Sequence, residues 1–343
     1  MSKTRIAING FGRIGRMVFR QAMKDEQLHV VAVNANYPPE TLAHLIKYDS
    51  VHGIFDKEVK PLADGLEVDG KKVLLVNARD PEKLPWDELM IDIVIEATGK
   101  FNSRVGAGLH LRAGAKKVVL TAPGKQVDRT IVMGVNHEMY DPDHDHIVSN
   151  ASCTTNCLAP VVKVLDEQFG IKNGLMTTVH AFTNDQHNTD NPHKDLRRAR
   201  GCTQSIIPTS TGAAKALGEV LPHLSGKLHG MALRVPTPDV SLVDLVVDVY
   251  QPVTAEEVNR KFMEAADHEL TGIIHYSCEP LVSVDYTTTD YSAIIDGLST
   301  MVMEDNKIKV LAWYDNEWGY SHRVIDLTKY VGQYMHQKQM KIS

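Results

Sequence analysis

Gly10, Gly12 and Gly15 occupy the turn between an apolar run at residues 5–9 and a segment with helical apolar spacing that begins at Arg16. A second apolar run at 28–33 follows, so the chain opens with strand, glycine-rich turn, helix and strand. No other feature restricts the fold so tightly, because the three glycines serve a tight turn, close approach of backbone to a bound pyrophosphate, and close packing of helix on strand. The unpaired N–H groups at the start of the helix, with the backbone of Arg13 and Ile14 facing the turn, are where the pyrophosphate is expected. The pattern predicts a dinucleotide-binding unit.

Strand-like runs recur at 73–76, 91–96, 117–121 and 131–133, with turns or helical segments between several of them. Such alternation predicts an α/β fold, a Rossmann-type doubly wound parallel sheet with helices on its faces. A helix is expected over 103–112 although Gly106 and Gly108 each cost about 1 kcal/mol against Ala. Ligands on these sheets gather outside the carboxyl ends of strands, which singles out Arg79, the turn at 97–99 and Thr121. Beyond residue 150 the pattern changes to runs with partial alternation at 175–180, 228–235, 241–249, 300–303 and 309–314. These predict a second, α+β domain on a largely antiparallel sheet. A boundary near 150 sets Cys153 at the seam of the two domains, where small-molecule clefts commonly form.

Ser152-Cys153-Thr154-Thr155-Asn156-Cys157 stands between a strand-like run and a segment with helical spacing. A thiol at a helix N-terminus is expected to have a lowered pKa and an enriched thiolate. Buried core cysteine is the alternative. Cys153 and Cys157 lack a second cysteine pair or close histidine ligand, so no metal is expected. With 343 residues, 43% hydrophobic and 23% charged, the chain has length for two domains. A formal net charge of −6 argues against nucleic acid or an anionic membrane as partner. Four cysteines, no apolar leader and no run of membrane-spanning length predict a soluble, cytoplasmic protein. The long polar segment 184–200 reads as interface and anion site, and 205–212 as a buried strand ending in hydroxyls.

The motifs Ile8-Asn-Gly-Phe-Gly-Arg-Ile-Gly15, Ala151-Ser-Cys-Thr-Thr-Asn-Cys157, Thr177-Thr-Val-His180, Pro208-Thr-Ser-Thr-Gly-Ala-Ala-Lys215 and Trp313-Tyr-Asp-Asn-Glu-Trp-Gly-Tyr320 occur in order along the chain. The sequence resembles the phosphorylating glyceraldehyde-3-phosphate dehydrogenases. That resemblance implies a homotetramer that binds a nicotinamide dinucleotide and converts glyceraldehyde 3-phosphate and inorganic phosphate to an acyl phosphate. It implies Cys153 as nucleophile and His180 as its base, with Asn316 orienting the nicotinamide carboxamide. Thr183, Arg198 and Arg234 match the substrate-phosphate group; Ser152, Thr154, Thr211 and Gly212 match the group for attacking phosphate. The expected division is a dinucleotide-binding domain over 1–151, a catalytic domain over 152–316, and a C-terminal helix at 317–343 returning to the first domain.

Two positions depart from the NAD-specific pattern. Such folds carry an acidic residue about 20 residues past the glycines, on the ribose hydroxyls. Here Val33 is followed by Asn34, Ala35 and Asn36, and Asn191 stands where NAD-specific relatives often have Leu. No carboxylate repels a 2′-phosphate, so the chain is expected to use NADP in preference to NAD and to resemble the gluconeogenic bacterial branch. Erythrose-4-phosphate dehydrogenase remains a close alternative, since a methylene-sized difference in substrate discriminates weakly. A thiol redox sensor is the alternative of another class.

Overall fold

The computed structural model describes residues 3–342. It divides into two compact units: Met1–Ile131 with His137–Ala151 and Ser321–Ser343, and Val132–Asn136 with Ser152–Tyr320.

The strands of the first unit are β1 (Thr4–Asn9), β2 (Leu28–Asn34), a small hairpin of β3 (Tyr48–Asp49) and β4 (Gly53–Ile54), β5 (Val59–Leu62), β6 (Gly65–Val68), β7 (Lys71–Val76), β8 (Ile93–Glu96), β9 (Lys117–Leu120), β10 (Arg129–Thr130) and β11 (Ile147–Ser149). The main sheet runs β10-β11-β9-β8-β1-β2-β7-β6-β5. Every pair from β10 to β7 is parallel, and β6 and β5 extend the edge in antiparallel fashion. All residues of β8 and β9 are buried, as expected for central parallel strands covered on both faces. The helices are α1 (Arg13–Ala22), α2 (Pro39–Lys47) and α3 (Arg104–Arg112). Despite its glycines α3 forms, with Ser103 Oγ accepting from the Gly106 N–H at 3.1 Å as N-cap.

In the glycine turn, Gly10 has φ +96°, and a side chain there would meet Thr98 N at 2.7 Å. A Cβ at Gly15 would lie 2.2 Å from the Gly10 carbonyl oxygen, so α1 starts where only a hydrogen fits. Beneath the turn lies a buried polar cluster. The Glu96 carboxylate, at the end of β8, accepts from Asn9 Nδ2 at 2.5 Å, His110 Nε2 at 3.0 Å and the Thr98 N–H at 2.8 Å. An indole N–H only donates, so the 3.0 Å contact from Trp86 Nε1 to His110 Nδ1 assigns the imidazole proton to Nε2.

The second unit contains α4 (Cys153–Phe169), β12 (Ile171–Ala181), β13 (Ile207–Ser210), α5 (Ala213–Val220), β14 (Leu228–Val235), β15 (Ser241–Val249), α6 (Ala255–Asp267), β16 (Ile274–Ser277), β17 (Ala293–Asp296), β18 (Met301–Met303) and β19 (Lys307–Tyr314). The order is β13-β14-β12-β15-β19-β17-β16, with β18 also on β19. Only β12–β14 and β16–β17 pair in parallel; the other pairs in this sheet are antiparallel. Along β12 Met176, Thr178 and His180 are buried while Leu175 is exposed, the alternation of a sheet with one covered face. The helix α7 (Trp318–Ile342) begins in this unit and continues in the first.

Three expectations are corrected. Residues 131–133 form no strand: Asn136 Oδ1 closes a turn on the Val132 N–H at 2.8 Å, and Val132–Asn136 groups with the second unit. In the segment 205–212 only Ile207–Ser210 is a strand, and Ser205 and Ile206 are exposed. The run at 300–303 yields only the three-residue β18.

Gly15→Ala forces a methyl group against a carbonyl that cannot retreat without opening the turn. We expect a loss of roughly 3 kcal/mol in urea unfolding, the upper end of overpacking costs. An unchanged midpoint would contradict the close approach.

Candidate active site

Cys153 is the first residue of α4, with Ser152 as N-cap. Ser152 Oγ accepts from the Thr155 N–H at 3.1 Å and is hydrogen-bonded to Thr155 Oγ1 at 2.8 Å. Just before it Ala151, at φ +54°, is held in the left-handed region that non-glycine residues rarely occupy. The strained turn ends where the helix N–H groups begin.

His180 lies one residue from the end of β12, and its Nε2 is 3.5 Å from Cys153 Sγ. Two contacts compete for His180 Nδ1: Ala181 O at 2.7 Å, which only accepts, and Arg234 Nη1 at 3.0 Å, which only donates; the shorter one favours the proton on Nδ1. Nε2 then presents its lone pair to the thiol. The parallel register of β12 and β14 pairs His180 with Arg234. Arg234 Nη1 donates to Ala181 O at 3.0 Å and to Thr183 Oγ1 at 3.3 Å. Its Nε is buried and has no hydrogen-bond partner, an open guanidinium position beside the sulfur and imidazole.

Burial drives His180 down to about 3, with the Arg234 charge second, against the Ala181 contact. Burial also pushes the Cys153 thiol up, opposed by Arg234 and by contacts to Thr154. The expected lowering at a helix N-terminus is therefore outweighed by desolvation. Arg234 still discriminates between the two charges, favouring a thiolate and disfavouring an imidazolium.

The anion donors form three sets. Arg234 and Thr183 adjoin His180. Arg198 Nε donates to Thr209 Oγ1 at 3.0 Å, and its Nη1 pairs with Asp185, so its charge is already partly balanced. Thr211 and Gly212 lie at the N-terminus of α5, where Thr211 Oγ1 accepts from the Ala213 N–H at 3.3 Å. Thr154 was expected with the donors for the attacking phosphate. Its hydroxyl is buried against Tyr314, 2.8 Å from Tyr314 Oη, which is also 2.8 Å from Thr178 Oγ1. Asn316 is buried after β19 and accepts at Oδ1 from Ser241 Oγ at 2.6 Å.

Within the first unit, a cleft of about 640 Å³ is lined by Gly10, Gly12, Asn34, Ala35, Asn36, Tyr37, Arg79 and Thr98, among others. A Cβ at Gly12 would meet nothing within 4 Å, so backbone is presented to open space at the start of α1. Such a cradle fits a dinucleotide pyrophosphate. Three of the predicted residues also bond within the protein through their side chains. The amide of Asn34 is spent on Asn9 Oδ1 at 2.6 Å and on both backbone groups of Ala78, at 2.8 and 3.0 Å. The side chain of Arg13 pairs with Asp49, and Thr121 Oγ1 donates to the Glu96 carbonyl at 3.1 Å. Asn191 is exposed in the 184–200 segment, its N–H bonded to Ala199 O at 2.9 Å.

Residues 4–104 match the family described as "Glyceraldehyde 3-phosphate dehydrogenase, NAD binding domain", and residues 152–316 match its "C-terminal domain". The chain belongs to the glyceraldehyde 3-phosphate dehydrogenase family. Its relatives include glyceraldehyde-3-phosphate dehydrogenase 2 of Bacillus subtilis, 69% identical over 97% of this chain and 98% of that protein. The proteins of the same name in Staphylococcus aureus strain MRSA252 and Staphylococcus epidermidis strain RP62A are 62% and 61% identical, each over 98% of both chains. The chain is an oxidoreductase with a nicotinamide-cofactor domain. Among its described residues no helix is long and apolar enough to cross a membrane.

Membership in this dehydrogenase family does not by itself reveal the roles of Tyr314 and Ser241, which sequence reasoning missed. Tyr314 lies inside the quoted 313–320 motif, yet only the packing of α4 on the sheet brings its hydroxyl to Thr154.

The His180 shift has a consequence for acid stability. A histidine at about 3 when folded and near 6.5 when unfolded leaves stability unaffected above about pH 6.5. Between there and pH 3 the unfolded chain binds the extra proton, so stability falls with pH by up to about 1.4 kcal/mol per unit. His180→Asn is expected to flatten this window in urea titrations at pH 4 and pH 6.5, and equal slopes would contradict it.

Proposed function

We propose that this chain catalyses the phosphorylating oxidation of glyceraldehyde 3-phosphate, and its reverse, through a thioester on Cys153. The observation that carries this reading is the 3.5 Å approach of Cys153 Sγ to an imidazole nitrogen bearing a free lone pair. His180 Nε2 takes the thiol proton as sulfur bonds to the aldehyde carbon, and delivers it to the aldehyde oxygen, giving a thiohemiacetal. When bound, the nicotinamide ring supplies the hydride acceptor that turns this thiohemiacetal into a thioester. His180 removes the hydroxyl proton in that step. The Cys153 N–H, at the start of α4, supports the negative charge on oxygen. Inorganic phosphate then attacks the thioester carbon, and the thiolate leaves to give 1,3-bisphosphoglycerate.

The unpartnered Nε of Arg234, with Thr183 beside it, suits the substrate phosphate. Thr211 and Gly212, at a helix N-terminus, suit the attacking phosphate with Ser152 and the backbone of Thr154. Arg198 joins either group once Asp185 yields it. Cys153→Ser is expected to abolish phosphate-dependent turnover, by at least about a thousandfold, with dinucleotide binding retained in fluorescence titration. Retained turnover would sink the assignment.

NADP is the preferred cofactor in this reading, with NAD also used, and the gluconeogenic direction follows from it. Ala35 presents no carboxylate in the cleft, and the exposed guanidinium of Arg79 lines the same cleft. Arg79, three residues beyond β7, is the cation that supports this reading. The test is kcat/KM for both cofactors: NADP is expected to be favoured, Ala35→Asp to reverse the preference by about tenfold or more, and Arg79→Ala to weaken NADP selectively. A hundredfold preference of the parent protein for NAD would refute it.

Assembly into a homotetramer is part of the same proposal. The face of the second sheet opposite His180 carries exposed Leu175 and Met231, suited to pairing with another copy. Light scattering after gel filtration measures the assembly, and a monomer at micromolar concentration would contradict it.

A further inference from the structure

We propose that Ser241 is the positioning residue that decides which prong of the Asn316 carboxamide faces the cofactor. The inference rests on the reading of Asn316 as partner of the nicotinamide carboxamide, and goes beyond it by explaining how a symmetric-looking amide is held one way round.

Ser241 is the first residue of β15 and is 1% exposed. Antiparallel pairing sets it opposite Tyr314, two residues before Asn316, while β15 also pairs with β12. A serine hydroxyl has one proton to give and two lone pairs to offer. The Ala181 N–H reaches Ser241 Oγ at 3.0 Å and can only donate, so one lone pair is taken. The single hydroxyl proton is then directed to Asn316 at 2.6 Å, and that contact needs the amide oxygen there. Nδ2 is left as the outward prong, able to donate to a carbonyl oxygen.

Turned the other way, Asn316 would direct its NH2 at Ser241. The hydroxyl would then face two donors, and its own proton would lose its acceptor. The backbone offers no escape from this choice. Asp315 accepts from the N–H groups of Thr288 at 2.7 Å, Glu317 at 2.9 Å and Trp318 at 2.6 Å, pinning the chain on both sides of Asn316. Rotation of the amide about its own bond is the remaining freedom, and Ser241 removes it.

The natural dinucleotide carries a carboxamide with both a C=O and an NH2, whereas its 3-acetylpyridine analogue keeps the C=O and has methyl in place of NH2. An Asn316 fixed with Nδ2 outward serves both compounds. One free to turn still serves the natural dinucleotide in either orientation, but serves the analogue in only one. The measurement is the ratio of kcat/KM for the natural dinucleotide to that for the analogue, taken on one sample so that loss of folded protein cancels. In Ser241→Ala this ratio is expected to rise by about twofold over the parent protein, since an amide free to turn serves the analogue in about half of the molecules, and in Ser241→Thr, which keeps the hydroxyl, to return to the parent value. A parent-like ratio in Ser241→Ala, or no return in Ser241→Thr, overturns the proposal. Asn316→Ala separates the two layers. If it leaves kcat/KM for the natural dinucleotide unchanged, the reading of Asn316 falls and takes Ser241 with it; if it loses activity while Ser241→Ala keeps the parent ratio, only the Ser241 inference fails.

Discussion

The peptide of Ala181, where β12 ends, is the point on which the second unit's chemistry depends. Its carbonyl accepts from both His180 Nδ1 and Arg234 Nη1, and its N–H donates to Ser241 Oγ. One backbone unit therefore favours one tautomer of the histidine, against the approach of Arg234 Nη1 to the same nitrogen, and sets the place of a guanidinium and the direction of a hydroxyl. All three follow from a strand that stops there, because one more residue of regular ladder would spend those backbone groups on neighbours.

Around that peptide, burial and charge act against each other. Desolvation raises the thiol and lowers the imidazole, so neither carries charge cheaply. Arg234 resolves the competition in favour of negative charge near sulfur, while its own burial lowers its pKa and leaves Nε without a partner. A site of this kind is electrostatically unfinished, and an anion entering it meets donors already oriented.

The local features were legible in the chain. The glycine turn could be read residue by residue, since a tight turn, an open cradle and a close contact each require the absence of a side chain within a few positions. Ser152 before an apolar helical pattern marked the start of α4 in the same way, and buried runs such as residues 93–96 marked the central strands. What escaped depends on register between distant segments. Arg234 stands beside His180 because β12 and β14 pair in parallel with that offset, and no local spacing encodes it. Only the packing of α4 against β12 and β19 puts the Tyr314 hydroxyl between Thr154 and Thr178. Residues 131–133 have strand composition, yet a side-chain acceptor from Asn136 captured the Val132 N–H that a ladder would have used.

Asn34, expected at the cofactor, lines the cleft and also braces it, tying β2 to Asn9 of β1 and to Ala78 beyond β7. The next residue, Ala35, is thereby a side chain mounted on a braced frame, its N–H bonded to Val76 O at 3.1 Å. The bracing side chain and the bare cleft wall are adjacent in the chain but mechanically separate. A single codon change at residue 35 therefore alters the cleft wall without retuning the frame, which makes the lining of this cleft cheap to revise.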